Sequence, residues 1–288
     1  MPAAAAKPHW PVVTIVGVGL IGGSIGLALR DRKLAGRVIG VGRSTASLAE
    51  AKRLGTVTET TADLAKAVAS ADVVVVTTGV AAIPGMLDAV DAAVQPGTLL
   101  TDAGSTKASI VAAWEKRRRA RRGRFVGAHP IAGSHRRGPT AASADLFTGR
   151  VTVVTPGRAT PAADVEETGA FWAALGATVF TMSPAEHDRL LAATSHAPHL
   201  LAAALAAATP AEARQFTAGG WRDTTRIAAG DPDLWADILL DNAAAVAKAL
   251  SRIAGATEKM LTALEKGDRR KLVSLLHAAK EARDAVGS

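Results

Sequence analysis

Cysteine and tyrosine are both absent from the 288-residue sequence, and aromatic residues make up only 3% of it. Without cysteine the chain forms no disulfide and offers no thiolate as a nucleophile or a metal ligand. Long hydrophobic runs are missing as well, because no stretch reaches the ~18 consecutive apolar residues of a transmembrane helix. The N-terminal "MPAAAAKPHW" lacks the apolar core of a signal peptide. We therefore expect no membrane partner and a cytoplasmic location.

Negative charge is also scarce, since 26 acidic residues stand against 34 Lys and Arg, a formal net charge of +8. This balance favours anionic ligands. Much of the positive charge lies in "EKRRRARRGR", from Glu115 to Arg124. We interpret this cluster as the solvated end of a helix, where cations complement the helix dipole. Nucleic-acid contact is the alternative, but the cluster has no aromatic residue to stack on bases, so we expect no nucleic-acid partner.

Residues 1–183 alternate short apolar runs with helical stretches. The runs are "VVTIVGVG", "RVIGVGRS", "ADVVVVTTG", "GTLLTDAGS", "RFVGAHP" and "RVTVVTP", followed by a helix and a last strand in "DVEETGAFWAALGATVFTMSP". Their β-branched, nearly continuous apolar character is typical of parallel strands that helices cover on both faces. The pattern predicts an α/β domain with a Rossmann-type, doubly wound sheet.

Residues 184–288 contain helical stretches and no strand pattern. The segments "PAEHDRLLAATSHAPHLLAAALAAAT", "PAEARQFTAGGWRDTTRIAAG" and "DRRKLVSLLHAAKEARDAV" each predict a helix. A fourth, "DPDLWADILLDNAAAVAKALSRIAGATEKMLTALEKG", predicts one helix of more than thirty residues. Such a helix is too long for a small domain to cover. We therefore expect an all-α domain that pairs with a second copy.

A glycine motif stands between the first strand and the first helix. Gly17, Gly19 and Gly22 form G-x-G-x-x-G, with Leu20 and Ile21 inside the motif. Glycine permits the tight turn and lets the backbone amides approach a pyrophosphate at the helix N-terminus. The motif predicts dinucleotide binding, and the alternative is a tight turn without a ligand. Thr78, after a later strand, belongs to the same predicted cofactor site.

The end of the second strand bears on which dinucleotide binds. An NAD site usually has Asp or Glu there to accept the ribose hydroxyl hydrogen bonds. Here Gly42 is followed by Arg43 and Ser44. An arginine with a neighbouring hydroxyl attracts a 2′-phosphate, which a carboxylate would repel. We favour NADP over NAD, and the alternative is that Arg43 is a solvated loop residue.

Two further polar residues follow predicted strands, and ligands of open α/β sheets bind beyond the carboxyl ends of the strands. Ser105 lies in "DAGSTK", and His129 lies in "VGAHPIAG". A histidine can take a hydroxyl proton near neutral pH while hydride leaves the carbon. Each residue also has a structural alternative, because Ser105 could cap a helix and His129 could be a hydrogen-bonded core histidine.

Five stretches together resemble one enzyme family. They are "GVGLIGGSIGLAL", "DAGSTKASI", "GAHPIAGSHRRG", "EHDRLLAATSHAPHLLAAAL" and "GGWRDTTRIAAGDPDLWADILLDN". In this order, over nearly the whole chain, they are similar to the prephenate/arogenate dehydrogenases of tyrosine biosynthesis. The resemblance implies oxidative decarboxylation of a small anionic cyclohexadienyl substrate, in a homodimer whose helical domain completes the active site.

The resemblance also implies roles for single residues. His129 resembles the family's catalytic histidine, and Ser105 resembles the serine that orients the substrate hydroxyl. Arg226 resembles the arginine that binds a substrate carboxylate. His196 and His199 resemble the pair that faces the substrate; their spacing sets them on one helix face, with Pro198 expected to bend the helix. That spacing also suits metal ligands, but the chemistry needs no metal and we expect none.

One position departs from the family. Many members have a glutamate two residues after the glycine of "HPIAG", where this chain has His135, followed by Arg136 and Arg137. Arogenate carries an ammonium group where prephenate has a keto group, so a cationic neighbour slightly favours prephenate. Two alternatives stay open besides arogenate itself: a reductase of the β-hydroxyacid dehydrogenase type, and a non-catalytic protein that senses nucleotides or binds nucleic acid.

Overall fold

The computed structural model describes residues 9–116, 120–133 and 136–287. In this part of the chain, eight strands form one continuous sheet. The strands are β1 (Trp10–Val16), β2 (Ala35–Val41), β3 (Glu59–Thr61), β4 (Val73–Val76), β5 (Leu99–Asp102), β6 (Arg124–Pro130), β7 (Val151–Thr155) and β8 (Thr178–Thr181). The three-residue β3 was not predicted, because "ETT" is polar and too short to form an apolar run.

The spatial order of the strands is β3-β2-β1-β4-β5-β6-β7-β8. The strands from β3 to β6 are parallel, which confirms the predicted doubly wound sheet. The prediction that β7 is parallel was wrong, since β7 pairs antiparallel with β6 and parallel with β8. A parallel neighbour needs a crossover connection, usually a helix. Between β6 and β7 the described residues contain only the short 3₁₀ turn Pro139–Ala141, so the chain turns back.

Helices cover both faces of the sheet. In β4, Val73 and Val75 belong to one buried cluster, while Val74 and Val76 belong to the other. Burial on both faces is the reason that these strands appear in the sequence as unbroken apolar runs. The covering helices are α1 (Leu20–Asp31), α2 (Thr45–Arg53), α3 (Leu64–Val68), α4 (Ile83–Ala93), α5 (Ala108–Lys116) and α6 (Ala162–Ala174).

The chain after β8 is helical. Its α-helices are α7 (Pro184–Leu191), α8 (Ala197–Ala208), α9 (Gly219–Thr225), α10 (Pro232–Asp241), α11 (Ala243–Glu265) and α12 (Arg269–Asp284). A π-helical turn, Ala192–His196, joins α7 to α8 without a break. Pro198, which was predicted to bend the helix, lies two residues after this turn and supplies no amide hydrogen to it. The bend itself stays a prediction.

Two helix predictions in this half were wrong. The helix predicted to exceed thirty residues is divided at Asn242, whose φ of −108° and ψ of 25° are not helical. The side-chain amide of Asn242 makes hydrogen bonds to residues that are distant in sequence. The local hydrophobic periodicity does not indicate such bonds. The segment predicted as one helix from Pro210 contains two 3₁₀ turns, Ala211–Phe216 and Arg226–Ala229, around the short α9.

The continuous helix from Pro184 to Ala208 is long and apolar enough, by length and composition, to cross a membrane. Its most apolar window of 18 residues has a mean hydropathy of 1.3, and 33% of that window is buried in the protein. The sequence predicts no transmembrane helix here, because the Ala-rich tract after His199 is short and weakly apolar. The helix is longer than that tract, since it begins at Pro184 and contains polar residues before His199. Three of them, His187, Asp188 and His196, are buried and hydrogen-bonded within the protein. The hydrogen bonds of these buried side chains join this part of the helix to the start of α5 and to β6.

The basic cluster agrees with its prediction in part, because α5 ends at Lys116 and both Lys116 and Arg122 are exposed. Two of its arginines differ from the prediction. Arg121 is not solvated: its guanidinium stacks 3.7 Å from the ring centre of Trp114 and pairs with Asp88 at 3.2 Å. Arg124 lies on β6, where it pairs with Asp164 at 2.6 Å. Both arginines are held by carboxylates or an indole ring, so they are not the free charges that a phosphate backbone needs. Residues 117–119 of the cluster lie outside the described residues.

Candidate active site

The glycine turn lies at the carboxyl end of β1. Gly17 adopts a φ of +108°, a conformation that side chains rarely allow. At Gly22 a Cβ atom would lie 1.9 Å from the Gly17 carbonyl oxygen, so only glycine permits this closeness of turn and helix. Nothing lies within 4 Å of the space where a Cβ of Gly19 would point. The turn therefore leaves an open concavity in front of α1.

The concavity suits a dinucleotide. No side chain caps the N-terminus of α1, so the first amides, from Leu20 and Ile21 onward, face an anion site without a competing acceptor. Thr78 supplies a buried Oγ1 with no hydrogen-bond partner among the described residues. Such an orphaned polar atom calls for a ligand or water. These features fit the predicted nicotinamide dinucleotide.

The end of β2 presents a cation and a hydroxyl. Arg43 is exposed. The Ser44 hydroxyl accepts a hydrogen bond from the Ser47 amide at 3.2 Å and caps α2. A capping hydroxyl can still donate its own hydrogen to a phosphate oxygen. The two residues therefore remain candidates for the 2′-phosphate contact.

A second concavity, of about 460 Å³, lies between the tips of β5 and β6 and the helical half. Its polar lining consists of Ser105, His129, Ser195, His196, Arg226 and the indole of Trp235. Four of the five residues predicted to act on the substrate thus meet in one cavity. The fifth, His199, is 6% exposed and stands behind Trp235, with ring planes 13° apart and centres 3.6 Å apart.

A buried ion pair supports the strand tips below this cavity. Lys107, fully buried, contacts the Asp102 carboxylate and donates to the Ala128 carbonyl at 3.0 Å. The other oxygen of Asp102 accepts the Ala128 amide at 3.1 Å. Burial lowers the pKa of Lys107, and Asp102 opposes that shift. The pair ties the end of β5 to the end of β6 and so holds the backbone that carries His129.

His129 belongs to a chain of three hydrogen-bonded groups. Its Nδ1 lies 2.8 Å from Nε2 of His187, whose Nδ1 lies 2.7 Å from the Asp188 carboxylate. Burial lowers the pKa of His129 well below its ordinary value, and His187, Lys107 and His196 add to the shift. A neutral imidazole with a free lone pair can accept a proton. His129 is therefore suited to act as a base.

Asp188 is a carboxylate buried between the two halves of the protein. It accepts the amides of Lys107 and Ala108 at the start of α5, at 2.8 and 2.9 Å. Burial alone would raise its pKa, but the hydrogen bonds from His187 and from these amides hold the pKa below its usual value. A carboxylate at a helix N-terminus is also favoured by the helix dipole. Asp188 thus remains an anion.

His196 stands in the same cavity under a different constraint. The side-chain nitrogen of Asn242 lies 2.8 Å from the Asp188 carbonyl oxygen and 3.1 Å from Nδ1 of His196. A carbonyl only accepts, so the amide NH₂ group faces both atoms and Nδ1 of His196 is an acceptor. Burial lowers the pKa of His196 to about 4, with Asp188 opposing the shift. His196 is therefore neutral at pH 7, and its Nε2 carries the hydrogen.

Four of these groups were not predicted from the sequence: Lys107, His187, Asp188 and Asn242. Asp188 has a weak signal in the sequence, because Asp188, Ala192 and His196 follow at intervals of four and so share a helix face. Asn242 has no such signal in the sequence, since it lies inside a pattern that predicts an uninterrupted helix. His135 lies outside the described residues, so its effect on the site stays a prediction. Among the described residues no group of three or more metal-ligating side chains occurs.

The comparisons with known proteins agree on one family. Residues 25–181 match the nucleotide-binding domain of prephenate dehydrogenase, and residues 183–278 match its dimerization domain. The prephenate dehydrogenase of Bacillus subtilis is 34% identical over 281 residues, which are 95% of this chain and 76% of that protein.

Two solved structures extend the comparison. The prephenate dehydrogenase from A. aeolicus in complex with hydroxyphenyl propionate and NAD+ has a TM-score of 0.88 and 30% identity, covering 96% of this chain and 98% of that one. Synechocystis arogenate dehydrogenase has a TM-score of 0.79 and 27% identity, covering 96% and 99%. The resemblance inferred from the five sequence stretches is confirmed: the chain belongs to the prephenate dehydrogenase family.

Proposed function

We propose that this chain catalyses the nicotinamide-dependent oxidative decarboxylation of prephenate to 4-hydroxyphenylpyruvate. One observation carries the proposal: Ser105 and His129 from the strand tips meet His196 and Arg226 from the helical half in a single cavity. The cavity and the glycine turn lie at the same edge of the sheet, where the parallel strands β1, β5 and β6 end. Matches over both halves favour this family over the β-hydroxyacid dehydrogenase alternative.

The chemistry needs a base, an anion site and an oriented ring. The bound nicotinamide would accept the hydride from the ring carbon that bears the hydroxyl. Nε2 of His129 takes the hydroxyl proton, and Ser105 holds the hydroxyl toward it. As the carbon–oxygen double bond forms, the bond to the carboxylate on the opposite ring carbon breaks and CO₂ leaves. Aromatisation of the ring drives this step, so the residues chiefly bind and orient.

The cavity lining supports prephenate over arogenate. Its polar and charged side chains are Ser105, His129, Ser195, His196 with its neutral donor Nε2, Arg226 and the indole of Trp235; no Asp or Glu lines it in the described part of the chain. Prephenate offers carboxylates and a keto oxygen, which accept hydrogen bonds. Arogenate carries an ammonium group, which would need a carboxylate or carbonyl partner to offset its desolvation.

The experiment that tests this function is a set of four kcat/KM values, for prephenate and arogenate each with NAD+ and NADP+. We expect prephenate with NADP+ to be the best pair. Turnover of arogenate but not of prephenate would support the proposed type of reaction and overturn prephenate as its substrate. An absence of turnover with all four pairs, at normal cofactor binding, would overturn the function.

Arg43 is proposed to select NADP, and the variant Arg43→Asp tests this role. We expect NADP preference to fall by about 10- to 100-fold, because a charge-assisted contact worth about 1.5–3 kcal/mol is lost and repulsion is added. The control is Arg53→Asp on α2, an exposed arginine paired with Glu50, which should leave the preference unchanged. If Arg43→Asp kept the preference for NADP, the contact with the 2′-phosphate would be assigned to other residues.

We also propose that residues 1–183 and 184–288 are two domains, and that the helical domain forms a homodimer. The match to a dimerization domain supports this, as do exposed apolar side chains in the helical half. Phe216 is 79% exposed, Leu240 76% and Leu264 61%. Monomeric proteins rarely expose several large apolar side chains to this extent, and a second copy of the chain would cover them. We propose the cytoplasm as the site of action.

A further inference from the structure

A buried pair, His187 and Asp188, stands behind the proposed base. His187 is wholly inaccessible to solvent and Asp188 nearly so. Neither lines the cavity, so neither can touch the substrate. A buried imidazole and a buried carboxylate are costly unless they are paired, and this pair is linked at 2.7 Å. The hydrogen bond between His187 and His129 also connects the pair to the proposed base.

The hydrogen-bond partners determine which ring nitrogens carry hydrogen. Asp188 only accepts, because its oxygens also receive the amides of Lys107 and Ala108. Nδ1 of His187 therefore donates to Asp188, and a neutral His187 has its lone pair on Nε2. That lone pair faces Nδ1 of His129 at 2.8 Å, so this atom is the donor. The lone pair of His129 is then left on Nε2, the nitrogen that the proposed reaction requires.

We propose that His187 and Asp188 are positioning residues that hold His129 in its base-competent tautomer and take up the positive charge formed at His129 during turnover. The inference rests on the proposed role of His129. The substrate O–H bond breaks and an N–H bond forms at Nε2 of His129. The Nδ1 hydrogen of His129 then moves to Nε2 of His187, and Nδ1 of His187 keeps its hydrogen toward Asp188. His129 becomes neutral, and the charge is an imidazolium of His187 next to the Asp188 carboxylate.

The surrounding charges favour this transfer. Lys107 is the nearest buried cation, and its partner Asp102 offsets its charge. His196, on the π-helical turn, is neutral at pH 7, and Arg226 lies on the cavity side rather than behind the ring. Asp188, which also attracts Lys107, is the anion hydrogen-bonded to the far side of His187. A cation at His187 is therefore closer to negative charge than a cation at His129.

The variant His187→Gln separates charge uptake from orientation. Glutamine can accept from Nδ1 of His129 and donate to Asp188, but it cannot exchange a proton. We expect kcat to fall by about 10- to 100-fold, less than the loss of the base itself, with KM and the cofactor Kd unchanged. The acid limb in the pH profile of kcat/KM should move to lower pH. Without His187 to share the positive charge, protonated His129 is less stable, so the pKa of His129 falls.

Other outcomes contradict the proposal. A wild-type kcat and pH profile in His187→Gln would mean that His187 only orients His129. A shift of the acid limb to higher pH would mean that His187 disfavours a cation at His129 instead of sharing it, which is the direction of its effect on the pKa of His129. The control is His277→Gln, the same change at an exposed histidine on α12, which should leave kcat and the pH profile unchanged.

A measurement on the wild-type protein covers the case in which the variant does not fold. In ¹⁵N-histidine-labelled protein without substrate, NMR should show neutral His129 with hydrogen on Nδ1, assigned by its loss in His129→Asn. Hydrogen on Nε2 of His129 would overturn the proposal. This measurement uses no substrate, so its result does not depend on whether prephenate is the substrate of the enzyme.

Discussion

His129→Asn is expected to lower kcat by about 10²-fold or more, because asparagine cannot take a proton and a positioned general base contributes 10²–10⁴-fold. The asparagine amide can still donate to Nε2 of His187, so the buried pair behind it keeps a partner. The fold and the cofactor Kd should therefore stay close to those of the wild type. Steady-state kinetics together with cofactor titration measure both quantities.

The control for this variant is His277→Asn, the same change at an exposed position outside the cavity. It should have wild-type kcat and Kd. If His129→Asn turned over at a rate comparable to that of the wild type, His129 would be removed from the mechanism. A loss of cofactor binding in parallel with kcat would point to a structural role instead.

Arg226→Ala is expected to raise the KM for prephenate by about 10- to 100-fold with a smaller effect on kcat. The side chain lines the cavity, and a hydrogen bond between charged groups contributes about 1.5–3 kcal/mol. Arginine matches a carboxylate with two parallel N–H groups, which no other residue of the lining offers. Initial rates over a range of prephenate concentrations measure the change.

Arg189→Ala serves as the matched control, because Arg189 is an exposed arginine on α7 that pairs with Glu186 and does not line the cavity. Its KM should be that of the wild type. An unchanged KM in Arg226→Ala would assign the carboxylate contact to another residue. An equal fall in kcat and kcat/KM would mean that Arg226 acts only in the transition state.

Much of the fold was readable from the sequence because it follows from periodicity. Strands buried on both faces, such as β4 with its four valines, leave an unmistakable apolar run. The direction of β7 does not follow from such a run, since parallel and antiparallel core strands look alike in composition. It depends on the path between β6 and β7, where the described residues contain no crossover helix.

The candidate site divides in the same way. His129 and Ser105 could be found because each follows a strand, whereas His196 and Arg226 were assigned only through the family resemblance. Asp188 and Asn242 could not be assigned, because their partners are the start of α5 and the π-helical turn, both distant in sequence. Long-range hydrogen bonds of this kind have no local pattern, so the network behind the base emerged only from the folded chain.

The central claim is that a neutral His129 takes the proton of the substrate. The most direct measurement is the pH dependence of kcat/KM for the wild type and for His129→Asn. A base must be unprotonated, so activity should fall as pH falls through the pKa of His129. That pKa lies well below its ordinary value because burial and the neighbouring groups disfavour the cation. We expect an acid limb well below pH ~6.5 in the wild type and no such limb in the residual activity of His129→Asn. The same limb in both proteins would contradict the claim.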